Sequence, residues 1–341
     1  MLRLYNPIPH EIFQLHRMLE NLVCSVWCEA NEDETCEDKL AVDFNVLYQA
    51  YGWLKAEVDS IYEEFVGLSP FEQSKIKKAF YATNSIEKLC NGETVPIYLN
   101  ELPGIINDCV KPLLIEFYET LLQRAQVPGT KKDYYEKLIK ENDFKYCPCC
   151  GMTDFEHEDS KNREAFDHYL PKAHYPFATI NFKNLVPLCY KCNSDRKGEK
   201  DPIEGGRKAF YPFKSENPDS EKHEIEIQFT LDRTRDLGNL TRTDLTIDIL
   251  GDNEKITTWD NLFDIKERYN DTTRGFIKTH LSKIKRRHAW FAEGKAIWTY
   301  ENSLDKLIEE YEYDQYEDKK FLKIPLMNEL KKCSNLIEVY G

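Results

Sequence analysis

Two cysteine pairs in the middle of the chain constrain its fold more than any other feature. Cys147 and Cys150 are separated by two residues, Cys189 and Cys192 repeat that spacing, and residues 151–188 lie between the pairs. Four thiolates on two tight turns complete a tetrahedral zinc site with no open position, and such a closed site is structural rather than catalytic. Because the segment is too short for a large apolar core, we expect zinc binding to be coupled to its folding.

Other interpretations of the cysteines stay open at this point. Cys149 could replace one member of the first pair, although the two-residue gap favours Cys147 and Cys150. The cysteines could also be redox-active or simply buried, but two such pairs in one small, Pro-rich segment favour a metal. The total of 11 cysteines is odd and argues against a disulfide framework.

Composition places the chain among folded proteins without a membrane span. Its 341 residues are 41% hydrophobic and 31% charged, as in globular domains. No apolar run approaches the roughly 20 residues that a bilayer span needs, and residues 1–10 lack the layout of a signal peptide. We therefore predict a cytoplasmic protein.

The net charge hides a basic segment. The formal charge of −14 argues on average against a polyanionic partner. Residues 266–288, however, contain eight Lys and Arg against two acidic residues. This segment predicts a basic helix, one face of which could follow a nucleic-acid backbone. The alternatives are an ordinary solvated helix face and a patch for an acidic partner.

Hydrophobic periodicity divides the chain into three regions and predicts the α+β class. Residues 1–143 carry apolar residues at helical spacing and form a helical region. Residues 144–213 have the texture of short strands and turns. Residues 214–341 mix two alternating strands, at 223–229 and 245–249, with further helices.

A carboxylate, an imidazole and two amides lie close to the cysteine pairs. Asp167 and His168 are adjacent, Asn184 lies in the run Asn-Leu-Val-Pro, and Asn193 follows the last cysteine. This order resembles the HNH nucleases, or ββα-metal fold, in the branch whose catalytic hairpin and helix are pinned by four cysteines. The resemblance covers about residues 144–200.

The chemistry of phosphodiester hydrolysis explains the first two residue types. It needs a base for water and a divalent cation to neutralise charge on the phosphate. We predict His168 as the base, with an ordinary pKa that leaves it neutral at pH 7, and Asp167 as a ligand for Mg²⁺ or Mn²⁺. Neighbours on an extended strand point to opposite faces, so a bend or bulge would have to bring both to one centre.

The resemblance implies that Asn193 is the second ligand of this cation, through its side-chain carbonyl. If residues 190–200 form the helix of the motif, Asn193 and Lys197 share a face, with Lys197 placed to meet a phosphate oxygen. Asn184 is expected to tie the loop by side-chain to backbone hydrogen bonds. His174 is either a second imidazole near the phosphate or a surface-loop residue.

Together these features predict a metal-dependent HNH endonuclease that cleaves DNA. The order of a helical arm, a four-cysteine module and a Trp/Arg-bearing tail, with Trp259 and Arg268, is also similar to the HNH subunits of bacterial anti-phage systems such as Septu, some of them linked to retrons. That similarity implies an ATPase partner, for which residues 1–143 are the candidate surface.

Two rival functions remain at the level of sequence. One is a stand-alone restriction-type or RNA-cleaving HNH nuclease. The other is a non-catalytic zinc module that binds nucleic acid or protein and has no use for Asp167, His168 and Asn193 together.

Overall fold

The computed structural model describes residues 1–157, 160–217, 223–232, 234, 236–237, 239–295 and 297–333. The chain divides into two compact units. One contains Met1, Arg3–Phe144 and Phe155–Ser220; the other contains Leu2, Lys145–Asp154 and Glu221–Gly341. Helices predominate, and the two sheets of the described residues are two-stranded hairpins, which confirms the α+β class. No helix in the described part of the chain has the length and apolarity to cross a membrane.

The first unit is mostly helical and has short π-helical turns. Its π-helical turns are Leu22–Val26, Ile106–Val110 and Asn193–Lys197. Its α-helices are α1 (Phe13–Asn21), α2 (Cys36–Lys39), α3 (Val42–Ala50), α4 (Gly52–Val66), α5 (Pro70–Asn84), α6 (Ile86–Cys90), α7 (Lys111–Glu119), α8 (Lys131–Asn142) and α9 (Tyr190–Cys192).

Local sequence signals explain where these helices begin. Ser69 caps α5 in a capping box with Glu72, and Pro70 occupies the first turn, where its missing N–H costs nothing. The Thr130 side chain accepts a hydrogen bond from the backbone N–H of Asp133 and so caps α8. The apolar faces of the longer helices form the core of this unit, which includes Leu15, Leu19, Trp27, Leu47, Leu54, Val58, Phe65, Phe80, Leu114 and Phe117.

A very short hairpin completes the first unit. Strand β1 (Phe166–His168) pairs antiparallel with β2 (Leu185–Pro187), so that Asp167 lies opposite Val186. All three residues of β2 are buried, and so is Asp167 of β1. Because β2 runs almost directly into α9, the hairpin, the second cysteine pair and the following turn are adjacent along the chain.

The second unit contains a longer hairpin with a regular pattern of burial. Strand β3 (Glu226–Leu231) pairs antiparallel with β4 (Leu245–Leu250) over six residue pairs, and exposed and buried side chains alternate along both. Its helices are α10 (Asn253–Phe263), α11 (Ile265–Ala292), α12 (Tyr300–Glu312) and α13 (Lys320–Leu330).

The predicted basic segment lies within α11. One face of this helix is buried through residues such as Ile277, Leu281 and Ile284. On the other face Lys278, Lys283, Lys285 and Arg286 are exposed. Near its end Trp290 is 61% exposed, and the Arg287 guanidinium lies 5.1 Å from the centre of its ring.

Candidate catalytic and metal sites

Four buried cysteines form a cluster that can hold a metal ion. The Sγ atoms of Cys147, Cys150, Cys189 and Cys192 all lie within 4.8 Å of one another. Tetrahedral zinc with Zn–S bonds of about 2.3 Å places its sulfurs about 3.8 Å apart, so the donor set and its size fit zinc. These are the four residues that the spacing favours, and Cys149 lies outside the cluster.

Backbone hydrogen bonds shape both cysteine turns. In the first, the N–H of Gly151 donates to the carbonyl of Cys147 at 2.7 Å. Gly151 has φ +67, and a Cβ here would lie 2.5 Å from Leu2 Cδ2, so this turn requires glycine. In the second, the carbonyl of Cys189 accepts from the N–H groups of Cys192 and Asn193, both at 2.9 Å, at the start of α9.

The Asp167 carboxylate is buried with an ammonium group beside it. Asp167 is 3% exposed, and its Oδ1 accepts from Nζ of Lys197 at 3.1 Å. The same ammonium donates to the carbonyl of His168 at 2.8 Å, and its side chain is wholly buried. Burial raises the pKa of Asp167, whereas Lys197 opposes that shift. The second carboxylate oxygen, Oδ2, is buried and has no hydrogen-bond partner among the described residues.

The His168 ring points to a different set of groups. Its Nε2 lies 3.0 Å from the carbonyl oxygen of Thr179. A carbonyl only accepts, so Nε2 carries the proton and Nδ1 is the unprotonated nitrogen of the neutral ring. The ring also packs edge-on against Tyr118, with 4.6 Å between the centroids.

The expectation of an ordinary pKa for His168 is wrong. Burial, followed by the nearby cations Lys172, Lys197 and Lys131, lowers its pKa to about 3, although the hydrogen bond to Thr179 opposes this. The ring is therefore neutral at physiological pH, by a larger margin than the sequence suggested.

Two lysines and the Tyr118 ring lie around His168, and the sequence analysis did not predict them. Nζ of Lys131 lies 4.4 Å from the centre of the Tyr118 ring and donates to the Tyr118 carbonyl at 3.0 Å. Nζ of Lys172 lies 5.7 Å from the same ring and 2.7 Å from Glu119. Burial and Arg163 lower the pKa of Lys131, and burial raises the pKa of Tyr118 to about 12. Tyr118 and Lys131 are far from His168 in the chain, so no spacing signal could have indicated them.

Asn184 holds the loop that follows β1. It is wholly buried, and its Oδ1 accepts from the N–H of Leu170 at 2.8 Å. Its Nδ2 donates to the carbonyls of Leu170 at 3.0 Å and Ala178 at 3.3 Å. One amide thus satisfies both backbone groups of Leu170, two residues beyond His168.

Asn193 and Lys197 begin and end one π-helical turn. The predicted helix over 190–200 is α9 followed by this turn, and it ends at Gly198. Nδ2 of Asn193 lies 3.4 Å from the carbonyl of Ala165. The Lys197 ammonium contacts protein groups rather than solvent, so a phosphate contact would require it to leave Asp167.

His174 follows Lys172 by two residues in the loop after β1. It is exposed on a turn, where its N–H donates to the carbonyl of Pro171 at 2.9 Å. It also lines a cavity of about 620 Å³ together with Tyr98, Asn100 and Asp108.

One oxygen of the Asp167 carboxylate is of the kind that a hard divalent cation binds. Its Oδ2 is a buried acceptor without a hydrogen-bond donor, and such an atom is costly unless a ligand satisfies it. Asn193 would add an amide oxygen, which suits Mg²⁺ or Mn²⁺. The structure brings Asp167 and Lys197 into contact, while the His168 ring and the Asn193 amide contact other groups.

Two known proteins share part of this sequence. The chain is 30% identical to protein ea31 of Escherichia phage lambda over 109 residues, which cover 32% of this chain and 33% of that protein. It is 39% identical to Septu protein PtuB of Bacillus thuringiensis over 69 residues, 19% of this chain and 24% of that protein. The chain therefore spans about a third of the length of protein ea31 and about a quarter of the length of Septu protein PtuB. No family model and no solved structure matches.

Proposed function

We propose that this chain is a metal-dependent endonuclease of the HNH type that hydrolyses phosphodiester bonds of DNA. The observation that carries the proposal is a neutral His168 among cations, next to a buried carboxylate with an unpartnered oxygen. A base beside positive charge is suited to attack on a polyanion, and the cysteine cluster gives the module a metal-dependent scaffold.

His168 would act as the general base. The Thr179 carbonyl holds the proton on Nε2, which leaves Nδ1 to accept a proton from water. Asn184 would keep the strand and the following loop in register, because its side chain hydrogen-bonds to both the N–H and the carbonyl of Leu170.

Asp167 and Asn193 would hold the divalent cation. When bound, Mg²⁺ or Mn²⁺ stabilises charge on the scissile phosphate and on the leaving oxygen. Lys131 and Lys172 would attract the phosphate backbone towards His168, and their charge favours the anionic transition state. Lys197 would contact a phosphate oxygen only after leaving Asp167, and His174 would lie further along the substrate.

We also propose an anti-phage role in company with an ATPase. The similarity to Septu protein PtuB supports this role, and the order of regions along the chain agrees with it. The helical region of residues 1–143 is the candidate surface for the partner. The basic face of α11 is the candidate surface for nucleic acid in the second unit.

Plasmid cleavage in Mg²⁺ or Mn²⁺ tests the nuclease proposal, with and without the co-purified product of a neighbouring ATPase gene. His168→Gln is the variant to compare with the wild type, because the Gln amide can still donate to the Thr179 carbonyl but cannot act as a base. We expect at least a hundredfold loss of cleavage rate. Zinc content and thermal unfolding should match the wild type.

Other outcomes separate the rival functions. Equal cleavage by the wild type and His168→Gln would contradict the assigned base. Binding of DNA by both proteins without cleavage under any of these conditions would support the non-catalytic zinc module. Cleavage of RNA but not DNA, or cleavage at the same rate with and without the ATPase, would support the stand-alone alternatives.

A further inference from the structure

The first unit contains a second, larger cavity that the proposed nuclease chemistry does not use. Its volume is about 760 Å³, within the range of small-molecule sites. Its walls come from the segment before α1, from α1 itself, from the junction of α5 and α6, and from residues 181–183 and 211–216. Asp167, His168 and Asn193 are not among the described residues that line it.

Cations surround this cavity in excess over acids. Arg17, Lys88, Lys183 and Lys214 line it and are exposed, against Glu87 and Glu216. Lys183 pairs with Glu216 at 3.3 Å. Within the described part of the chain, Arg17, Lys88 and Lys214 have no ion-pair partner. In a chain with a net charge of −14, uncommitted positive groups at one cavity favour an anionic ligand.

Aromatic rings form the inner wall. Phe13 and Tyr211 line the cavity and are half-buried. Each ring is fixed by neighbours: Phe13 packs edge-on against Tyr134 at 5.8 Å, and the Tyr211 hydroxyl donates to the Lys183 carbonyl at 3.2 Å. Held rings of this kind provide a stacking surface for a planar group at little entropic cost.

One imidazole in the wall has an unused polar atom. His16 is stacked on Phe80 with an interplanar angle of 10°, and its Nδ1 has no hydrogen-bond partner among the described residues. Burial, with a smaller effect from Lys183, lowers its pKa to about 4. Nδ1 is itself buried, so Nε2, which is not among these buried atoms, is the ring nitrogen that would meet the edge of a planar ligand. The other histidine in the wall, His10, is already committed to Ile12 and Asp133.

From this combination we propose that the cavity binds a nucleotide. The base would stack on Phe13 and Tyr211 with its edge towards His16, and the phosphate would meet Arg17 and Lys88. The nucleotide could be a free mononucleotide or one unit of a single strand, since both present the same base and phosphate. This site would be additional to the proposed nuclease site, so its test does not depend on cleavage.

The test measures equilibrium binding to the full chain without added Mg²⁺ or Mn²⁺. The probes are ATP, a 5′-phosphorylated oligothymidylate and tripolyphosphate. Arg17→Gln/Lys88→Gln removes two cavity cations, and Phe13→Leu removes one ring while keeping an apolar side chain. Lys78→Gln/Lys140→Gln is the matched control, because both lysines are exposed and lie outside the cavity. Thermal unfolding checks that each variant is folded.

We expect Arg17→Gln/Lys88→Gln to weaken binding of ATP or the oligonucleotide about tenfold or more, Phe13→Leu to weaken it severalfold, and the control to match the wild type. ATP binding identifies a mononucleotide site, and binding of the oligonucleotide alone identifies a strand site. The proposal is overturned if neither probe binds, if the cavity variants bind like the control, or if tripolyphosphate binds as well as ATP and Phe13→Leu has no effect.

Discussion

The two hairpins of this protein bury very different side chains. In β3–β4 every second residue is buried and apolar, from Ile227 to Leu231 on one strand and from Leu245 to Ile249 on the other. In β1–β2 all three residues of β2 are buried, and the buried residue of β1 is the carboxylate Asp167. The long hairpin has an apolar face to hold it, whereas the short one has three residue pairs and a set of polar contacts.

The difference has an energetic consequence. Apolar contacts are lost gradually, roughly in proportion to the area exposed. A buried polar network is favourable only when all its members are satisfied, and it becomes costly when one partner is removed. Substitutions in β1–β2 should therefore cost much more per atom than substitutions in β3–β4.

Metal removal should produce the largest difference in stability between the two hairpins. Structural zinc contributes about 10 kcal/mol or more to the folding of small zinc-binding peptides, and Cys189 follows β2 by two residues. On chelation, hydrogen exchange should show that β1–β2 loses its protection and that β3–β4 keeps it. Re-addition of zinc is the control. Unchanged protection of β1–β2 in metal-free protein would contradict a structural role for the cluster.

The buried ion pair should have the next largest effect. Lys197→Met would leave the Asp167 charge buried without its partner, which costs about 3 to 5 kcal/mol. Adding Asp167→Asn should restore part of that loss, as measured by urea unfolding in a double-mutant cycle. Lys132→Met, which breaks an exposed pair with Glu136 at 3.5 Å, should cost less than about 1 kcal/mol. Additive effects at Asp167 and Lys197 would rule out the coupling.

Asn184→Leu compares the two hairpins directly. It removes three hydrogen bonds and leaves the buried N–H and carbonyl of Leu170 without partners, whereas the Ala178 carbonyl keeps the N–H of Asn181, so unfolding should become easier by about 3 kcal/mol. Ile247→Val in β4 removes one buried methyl group and should cost about 1 kcal/mol. If the two variants lose the same free energy of unfolding, the polar network does not stabilise the short hairpin.

Acid should weaken the second unit by a smaller amount. His280 of α11 is 3% exposed, Lys323 and Lys283 lie near it, and Asp318 opposes them. Burial lowers its pKa from 6.5 to about 4. The unfolded chain therefore takes up the proton first as the pH falls. From pH 7.5 to 5 this should remove about 2 kcal/mol of stability.

His280→Gln should flatten that dependence in hydrogen exchange of β3–β4, measured at both pH values. The Asp318 carboxylate and the Tyr311 ring, whose centroid is 6.0 Å away, remain in the variant. An equally steep loss in His280→Gln would assign the acid sensitivity to other groups.

The parts of the structure that follow local rules could be predicted from the sequence. Ser69 and Thr130 mark the starts of α5 and α8 through their capping side chains, and alternation indicates β3 and β4. The cysteine cluster follows from spacing, because two-residue gaps dictate which thiols share a turn.

What the sequence did not reveal depends on contacts between distant residues. Three-residue strands are too short for periodicity, so the sequence indicates β1 and β2 only by the texture of residues 144–213 and by the resemblance, without bounds. The pairing of Lys197 with Asp167, and the placement of Tyr118 and Lys131 near His168, depend on how helices pack. The low pKa of His168 has the same origin, since burial cannot be read from a neighbouring residue.

The π-helical turn between Cys192 and Gly198 makes the number of residues matter as much as their identity. The N–H of Gly198 reaches the carbonyl of Asn193, five residues back, at 2.7 Å. Deleting one residue here would tighten the turn to an ordinary α-helical one and rotate everything after it by about 100°. We therefore expect this stretch to tolerate insertions and deletions poorly, even at positions where single side chains can vary.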